Sequence, residues 1–294
     1  MKKVMLTGAA GQLGRALQKV LSPAEYELVL TDTAAATAAL DAPATALDIT
    51  DADAVMRFVA ELKPYAVINC AAYTAVDAQE KDVDLSYRIN AIGPKNLSIA
   101  ATAAGAKLVH ISTDYVFAGD ATVPYMEFDA PAPKSVYGRT KLAGEEFVRQ
   151  FADRFFIIRT AWLYGEGKNF VKTMLSLAET HDEVSVVNDQ TGNPTSAVEL
   201  ARMIAYLLPT DNYGTFHGTC EGSCSWAELA EEVFRLAGKA TRVRGVTSAE
   251  YAQMNPAAAP RPAFSQLDKF MLRLTTEFRM AEWHDALEEY LKTV

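Results

Sequence analysis

The chain has 294 residues, of which half are hydrophobic and 22% are charged, as in soluble globular proteins with one large domain or two closely packed ones. The formal net charge of -9 disfavours non-specific binding to nucleic acid or anionic membranes, which requires basic surfaces. Three cysteines are too few for a disulfide framework, and the N-terminus lacks the apolar core of a signal peptide. No apolar run approaches the roughly 20 residues that cross a bilayer, so we expect a cytoplasmic protein.

Short β-like runs alternate with helical patterns over the first two thirds of the chain. Strands are predicted at 4–6, 26–30, 65–70, 107–112 and 155–160, and helices at 12–21, 51–63, 94–105 and 137–151. The alanine-rich tract 34–46 is interpreted as a surface connection. Alternation of this kind is typical of βαβ units, so the sequence predicts the α/β class with a doubly wound, Rossmann-type parallel sheet.

Beyond residue 165 the alternation loosens, and helices are predicted near 169–180, 197–208, 225–237 and 281–292. A loop rich in proline and alanine lies at 255–262, between the last two of these helices. This irregular part predicts a smaller C-terminal α/β lobe that binds substrate. We therefore expect a dinucleotide-binding domain at 1–165 and a substrate-binding lobe at 166–294. The lobe is expected to be discontinuous, with part of about 190–210 packing back on the first domain.

A glycine triplet joins the first predicted strand to the first predicted helix. Gly8, Gly11 and Gly14 permit a tight turn, close approach of a pyrophosphate and close packing of the helix on the strand. Asp32 ends the second strand, where an acid accepts hydrogen bonds from the adenosine ribose and repels a 2′-phosphate. Since no arginine or lysine occurs between Asp32 and Asp48, the sequence favours NADH over NADPH.

A tyrosine and a lysine four residues apart begin the predicted helix at 137–151. Tyr137 and Lys141 therefore share a helix face, and we expect the ammonium to lower the pKa of the phenol toward that of a general acid. Ser112 and Thr113 end the strand at 107–112, at the sheet edge where open α/β sheets bind ligands. A hydroxyl at this edge can orient a substrate carbonyl beside the tyrosine.

Together these motifs resemble the extended short-chain dehydrogenase/reductase family. Longer strings resemble its dTDP-4-dehydrorhamnose reductase branch: GQLG at 11–14, AAYTAVD at 71–77, STDYVF at 112–117, RTAWLYG at 159–165, NDQTGNPT at 188–195 and RP at 261–262. The resemblance extends to about residue 290 and implies reduction of the C4 keto group of a dTDP-linked sugar by NADH or NADPH.

The resemblance also assigns roles to individual residues. The catalytic residues are Thr113, Tyr137 and Lys141. The cofactor-binding residues are Gly8, Gly11, Gln12, Leu13, Gly14, Asp32, Asp48, Ile49, Ala72, Tyr73, Thr74, Tyr137 and Lys141. The substrate-binding residues are Thr113, Asp114, Trp162 and Arg261. Some family members hold Mg²⁺ between subunits through a glutamate on the first helix; the matching residue here is Ala16, so no metal is predicted, and a monomer and a homodimer are both left open.

Two alternative functions fit the same motifs. One is another nucleotide-sugar ketoreductase, epimerase or dehydratase, although Asp114 is followed by Tyr115 and not by the second acid that dehydration uses. The other is a non-catalytic, dinucleotide-binding regulatory subunit of the methionine adenosyltransferase type. Trp226 and Trp283 each open a predicted helix with a continuing apolar stripe, so both are interpreted as core residues.

Overall fold

The computed structural model describes residues 1–256 and 258–294. Its strands are β1 Lys2–Thr7, β2 Tyr26–Asp32, β3 Ala44–Ala46, β4 Ala66–Asn69, β5 Lys107–Thr113, β6 Phe155–Thr160, β7 Leu163–Tyr164, β8 Glu183–Val187, β9 Thr191–Gly192, β10 Thr195–Ser196, β11 Gly214–His217, β12 Cys224–Ser225 and β13 Arg242–Val246.

The helices also follow in chain order. They are α1 Gln12–Val20, α2 Ala34–Thr37, α3 Ala52–Leu62, α4 Val76–Gln79, α5 Val83–Tyr87, α6 Gly93–Ala103, α7 Val136–Phe151, α8 Phe170–Ala178, α9 Ala197–Leu207, α10 Trp226–Leu236, α11 Ser248–Met254, α12 Phe270–Thr275 and α13 Trp283–Leu291. A π-helical turn at Arg88–Ile92 precedes α6, and a 3-10 turn at Asp114–Val116 follows β5. Within the described ranges, none of the helices is long and apolar enough to cross a membrane.

Seven parallel strands form the main sheet in the order β11-β6-β5-β4-β1-β2-β3. Successive side chains of β1 point to opposite faces: Val4 and Leu6 pack toward α1 and α9, and Met5 packs toward α3, α6 and α7. Both faces of the sheet are therefore covered by helices, which explains the continuous apolar runs of its strands. The predicted doubly wound, Rossmann-type sheet is confirmed.

A second apolar cluster lies in the C-terminal part of the chain, from residue 164 onward. It joins α8, α10 and α13 to the parallel pair of β8 and β13, with Leu229, Val233 and Leu287 fully buried. Two stretches of this region belong to the main sheet instead. Helix α9 packs on α1, and β11 pairs with β6, with Gly214 opposite Phe156. The chain therefore returns to the sheet after residue 165.

The alanine-rich tract 34–46 lies at the surface, as expected for a surface connection, but it also contains regular structure. The tract contains α2, whose first turn is capped by Thr33, because the Thr33 hydroxyl accepts a hydrogen bond from the Ala36 amide. It also contains the edge strand β3, in which Ala44 pairs with Leu30 of β2. Alanine carries no periodic apolar signal, so neither element shows in the hydrophobic pattern.

Candidate active site

The loop between β1 and α1 depends on glycine for its close packing. Gly8 has a φ of +66°, and a Cβ there would lie 2.6 Å from the Ala71 nitrogen. A Cβ on Gly14 would lie 2.3 Å from the Gly8 carbonyl oxygen. Gly11 precedes α1 and offers no side-chain cap, so the amides of the first turn are left for a ligand. This loop therefore fits an anionic group such as a pyrophosphate.

Asp32, at the end of β2, is bound to the backbone on both sides of its carboxylate. The Ala10 amide donates to Oδ2 at 2.9 Å, and the Thr33 amide donates to Oδ1 at 2.8 Å. The carboxylate thus fixes the glycine loop as well as facing the cavity beside it. A ribose at this point meets a carboxylate whose position is already set.

A cavity of about 870 Å³ runs along the carboxyl edge of the sheet from the glycine loop past Asp32. Seven of the predicted cofactor residues line it: Gly8, Gly11, Asp32, Asp48, Ile49, Ala72 and Tyr73. Arg88 of the π-helical turn also lines this cavity, and sequence reasoning missed it. No arginine or lysine lies between Asp32 and Asp48, but Arg88 reaches the cavity from a distant part of the chain.

A second cavity, of about 510 Å³, adjoins the first and shares Gly11, Cys70 and Ala72 with it. The structure brings most of the remaining predicted residues together here: Gln12, Leu13, Gly14, Thr74, Thr113, Asp114, Tyr137, Lys141 and Trp162. We call this space the reaction cavity. Its walls combine polar groups from the end of β5, the turn after it and α7 with indole rings, so it can hold a polar substrate against an apolar surface.

Helix α7 presents Tyr137 and Lys141 to the reaction cavity. Ser135 caps the helix by accepting a hydrogen bond from the Gly138 amide at 3.1 Å. The Lys141 Nζ donates to the Ile111 carbonyl oxygen at 2.6 Å. Burial lowers the pKa of Lys141 to about 8, against the opposing effect of the Glu145 carboxylate one turn further along the helix.

The expectation that Lys141 lowers the pKa of the tyrosine is wrong for this structure. Burial raises the pKa of Tyr137 to about 12, and only the hydrogen bond with Thr113 acts in the opposite direction among the main causes. The Asp114 carboxylate raises it further. Lys141 is itself buried and bound to the Ile111 carbonyl, and the cost of removing the phenolate from water dominates.

Thr113 and Asp114 form a buried pair at the end of β5. The Thr113 hydroxyl donates to Asp114 Oδ1 at 2.9 Å, while Asp114 Oδ2 has no hydrogen-bond partner among the described residues. Burial raises the pKa of Asp114 to about 6, although the hydrogen bond from Thr113 opposes this. A second hydroxyl, from a ligand in the cavity, would satisfy the free carboxylate oxygen.

Trp162 lines the reaction cavity and has an unusual backbone conformation. Its φ of +47° is in the left-handed region, which only glycine adopts without cost. Its indole stacks on Trp226 with the ring centroids 3.6 Å apart and the planes 9° apart. Trp226 is half-buried and packs against the C-terminal cluster, as predicted, but it also lines the cavity, whereas Trp283 is buried in that cluster.

Arg261 does not line the reaction cavity. It lies in an adjoining space of about 250 Å³, where its Nη2 donates to Asp77 Oδ1 at 2.8 Å. The Ala259 amide donates to the same oxygen at 2.8 Å, so Asp77 holds this loop against the sheet domain. Tyr115 lines both spaces and connects them.

Ala16 is buried between α1 and the sheet, so a side chain at this position points into the core. No cluster of three or more histidine, cysteine, aspartate or glutamate side chains that could hold a metal ion occurs among residues 1–256 and 258–294.

Known proteins resemble this chain over its whole length. A crystal structure of a dTDP-4-dehydrorhamnose reductase from Clostridium acetobutylicum is 50% identical, covers 99% of both chains and superposes with a TM-score of 0.91. The Bacillus anthracis protein of the same name, solved in complex with NADP, is 44% identical over 100% of both chains, with a TM-score of 0.90. A Streptomyces antibioticus relative, a probable dTDP-4,6-dihydroxy-2-methyloxan-3-one 4-ketoreductase, is 41% identical over 97% of this chain and 93% of its own length.

The parallel sheet, the glycine loop and the tyrosine–lysine pair define an NAD(P)-binding oxidoreductase of the short-chain dehydrogenase/reductase type. The family model described as RmlD substrate binding domain matches residues 1–294, and the chain belongs to this family. Curated relatives named dTDP-4-dehydrorhamnose reductase include a Streptomyces griseus protein, which is 41% identical over 97% of this chain and 91% of its own length. The Escherichia coli protein of the same name is 34% identical over 98% of this chain and 96% of its own length.

Proposed function

We propose that this chain reduces the C4 keto group of dTDP-4-dehydro-L-rhamnose to form dTDP-L-rhamnose, a precursor for polysaccharides. A reduced nicotinamide dinucleotide, when bound along the sheet edge, supplies the hydride. One observation carries the proposal: the Tyr137 phenol, the Thr113 hydroxyl and the Lys141 ammonium line a single cavity that adjoins the glycine loop.

Tyr137 is the proton donor in this proposal. Because burial raises its pKa to about 12, the phenol is protonated at neutral pH, which is the form that a general acid needs. An alkoxide that develops on the substrate oxygen is basic enough to take this proton. Positioned acid catalysis contributes about 10²–10⁴-fold, and orientation of the substrate contributes much of the remainder.

Thr113 and Lys141 position the reacting groups. The Thr113 hydroxyl turns from Asp114 toward the carbonyl oxygen, and the hydrogen bond that it gives there strengthens as negative charge develops. Lys141 would donate hydrogen bonds to the ribose next to the nicotinamide. Its bond to the Ile111 carbonyl limits the rotamers of the side chain, so the ammonium is placed before the substrate arrives.

The cofactor assignment follows the two cavities. The pyrophosphate would be held by Gly8, Gly11, Gln12, Leu13 and Gly14. The adenosine ribose would contact Asp32, and the adenine would contact Asp48 and Ile49. Between there and the nicotinamide, the cofactor would contact Ala72, Tyr73 and Thr74. We infer that the cofactor is NADH or NADPH, with NADH favoured because the Asp32 carboxylate repels a 2′-phosphate. Arg88, on the same cavity, is the cation placed to offset part of that repulsion.

The sugar nucleotide is proposed to enter from the side of Trp162. Asp114 accepts a hydrogen bond from a sugar hydroxyl through its free Oδ2, and Trp162 packs against the ring. Arg261 binds the diphosphate after its guanidinium leaves Asp77, since planar guanidinium groups pair bidentately with phosphate. We further propose that the enzyme works in the cytoplasm as a monomer or homodimer.

The test is an absorbance assay of nicotinamide oxidation with dTDP-4-dehydro-L-rhamnose as substrate. The wild-type protein is expected to turn over, and Tyr137→Phe is expected to lose at least about 10²-fold in kcat, since it lacks the acidic proton. Tyr206→Phe is the matched control, because this tyrosine is on the exposed side of α9. Absence of turnover, or equal turnover in Tyr137→Phe, contradicts the proposal.

The second candidate is reduction of a different dTDP-linked keto sugar, favoured by the Streptomyces antibioticus relative. It predicts a higher kcat/KM with that relative's keto sugar than with dTDP-4-dehydro-L-rhamnose. An epimerase instead requires stoichiometric dinucleotide in the purified protein, and a regulatory subunit requires binding without turnover. Assays of turnover, of substrate preference and of bound dinucleotide on one preparation therefore distinguish the two reductases, the epimerase and the regulatory subunit.

A further inference from the structure

Trp226 reaches the reaction cavity from a different part of the fold than the residues that the sequence identifies. It is the first residue of α10, and Ser225 before it forms a capping box with Glu228. The Ser225 hydroxyl accepts from the Glu228 amide at 3.2 Å, and the Ser225 amide donates to the Glu228 carboxylate at 2.6 Å. The start of the helix, and with it the Trp226 backbone, is therefore fixed.

The indole of Trp162 stacks on Trp226 and also packs closely against Gly192. Strand β12 pairs with β9, with Cys224 opposite Gly192, so the strand pair that leads into Trp226 also contains Gly192. A Cβ on Gly192 would lie 2.5 Å from Trp162 Cε2, so only glycine leaves room for the ring. Phe170 supports the outer indole, with its ring centroid 4.6 Å from that of Trp226.

These contacts compensate for the strained backbone of Trp162. A left-handed conformation is unfavourable for a residue with a side chain, and such strain persists only where the surroundings hold it. The stacked contact with Trp226 holds the Trp162 ring in place. Without it, the ring is free to follow its backbone back to an ordinary conformation and leave the cavity wall.

We propose that Trp226 is a positioning residue that holds Trp162 in place, and that the two indoles form one aromatic wall against which the apolar face of the substrate's sugar ring packs. The proposal rests on the proposed function for the identity of the sugar. Both indoles line the cavity with Thr113 and Tyr137, so a sugar held against the wall presents its carbonyl to these groups. A 6-deoxy sugar carries a methyl group that suits such an apolar surface.

The first test measures binding of dTDP and of dTDP-L-rhamnose by titration calorimetry, which needs no turnover. The wild type is expected to bind dTDP-L-rhamnose more tightly than dTDP alone. In Trp226→Ala the ratio of these two affinities is expected to fall about tenfold, while the affinity for NADH changes less than about twofold. Trp226→Phe, which keeps an aromatic face, is expected to recover most of the loss. Equal sugar dependence in wild type and Trp226→Ala overturns the proposal.

A spectroscopic readout separates positioning from a general loss of packing. Stacked indoles couple their electronic transitions, which gives a pair of bands of opposite sign in the far-ultraviolet circular dichroism. Trp226→Phe and Trp162→Phe are each expected to abolish this signal. Trp283→Phe is the matched control, because Trp283 is buried in the C-terminal cluster and lines neither cavity: it is expected to lower the melting temperature and leave both the signal and the sugar dependence unchanged.

Kinetics complete the test. If the wild type reduces dTDP-4-dehydro-L-rhamnose, Trp226→Ala is expected to raise KM for the sugar nucleotide about tenfold more than KM for NADH. An equal rise in both KM values means that Trp226 serves only stability, and overturns the proposal. Lack of wild-type turnover contradicts the proposed function but leaves the calorimetric and dichroism results to decide the role of Trp226.

Discussion

Replacing Lys141 by methionine is expected to abolish turnover and yet to stabilise the fold at neutral pH. Burial lowers the pKa of Lys141 from 10.5 to about 8. Below pH 8 this fall reduces the free energy of unfolding by about 3 kcal/mol, because the native state must bury the charged ammonium. Methionine fills similar space without a charge. It also leaves the Ile111 carbonyl without its donor, at a cost of about 1–2 kcal/mol. The net gain is about 1–2 kcal/mol.

The sign of the pH dependence distinguishes this cause from better packing. Above about pH 10.5 the amine is neutral in both states, and as the pH falls the unfolded chain takes up the proton first, so the wild type loses stability until the native pKa of about 8 is passed. The Met variant lacks this dependence, and all other groups titrate equally in the two proteins. The advantage of the variant is therefore largest near neutral pH and shrinks by about 2 kcal/mol at about pH 9.5.

Urea denaturation followed by circular dichroism, at about pH 7 and about pH 9.5, measures both quantities. Lys19→Met is the control, because the Lys19 side chain is 66% exposed and its replacement changes stability little at either pH. A Lys141→Met protein that is less stable than the wild type near neutral pH refutes the reasoning. So does a stability difference that stays the same at the two pH values.

Three further predictions concern the cofactor loop and the buried charges. Asp32→Asn removes the repulsion of a 2′-phosphate and is expected to raise the ratio of kcat/KM for NADPH to that for NADH about tenfold; an unchanged ratio contradicts it. Gly14→Ala places a Cβ against the Gly8 carbonyl oxygen and is expected to weaken NADH affinity, measured by calorimetry, at least about tenfold. An unchanged affinity would show that the loop can move to accept the extra carbon. Glu145→Gln leaves the buried Arg159 without its carboxylate partner and is expected to lower the free energy of unfolding in urea by about 3–5 kcal/mol. Arg149→Met removes the exposed partner of the same carboxylate and is expected to lower it by less than about 1 kcal/mol.

Local sequence patterns predicted the sheet and the position of the reaction cavity because the information lies within single βαβ units. The glycine loop joins a strand to the next helix, and Tyr137 and Lys141 are one helical turn apart, so short-range geometry already places them. Thr113 follows from the rule that ligands bind at the carboxyl ends of parallel strands. These parts of the site need no knowledge of the lobe.

The features that sequence reasoning missed depend on contacts between distant parts of the chain. Arg88 reaches the adenosine side from a π-helical turn, and Trp226 reaches the cavity from a helix that a two-residue strand pair sets in place. Neither residue differs in its local pattern from an ordinary surface or core position. The pKa of Tyr137 was expected to fall because charge proximity can be read from spacing, whereas the burial that raises it can be read only from the packed structure.

The return of the chain to the sheet has a consequence for how this molecule is made. Strand β11 covers the outer side of β6, yet it is synthesised more than fifty residues later, after the first elements of the lobe. A fragment that stops at residue 165 would leave the amide and carbonyl groups along β6 open to any other extended chain, and would also lack α9 over the apolar surface of α1. We therefore expect such a fragment to aggregate, and a nascent chain to become resistant to protease only once residue 217 has left the ribosome.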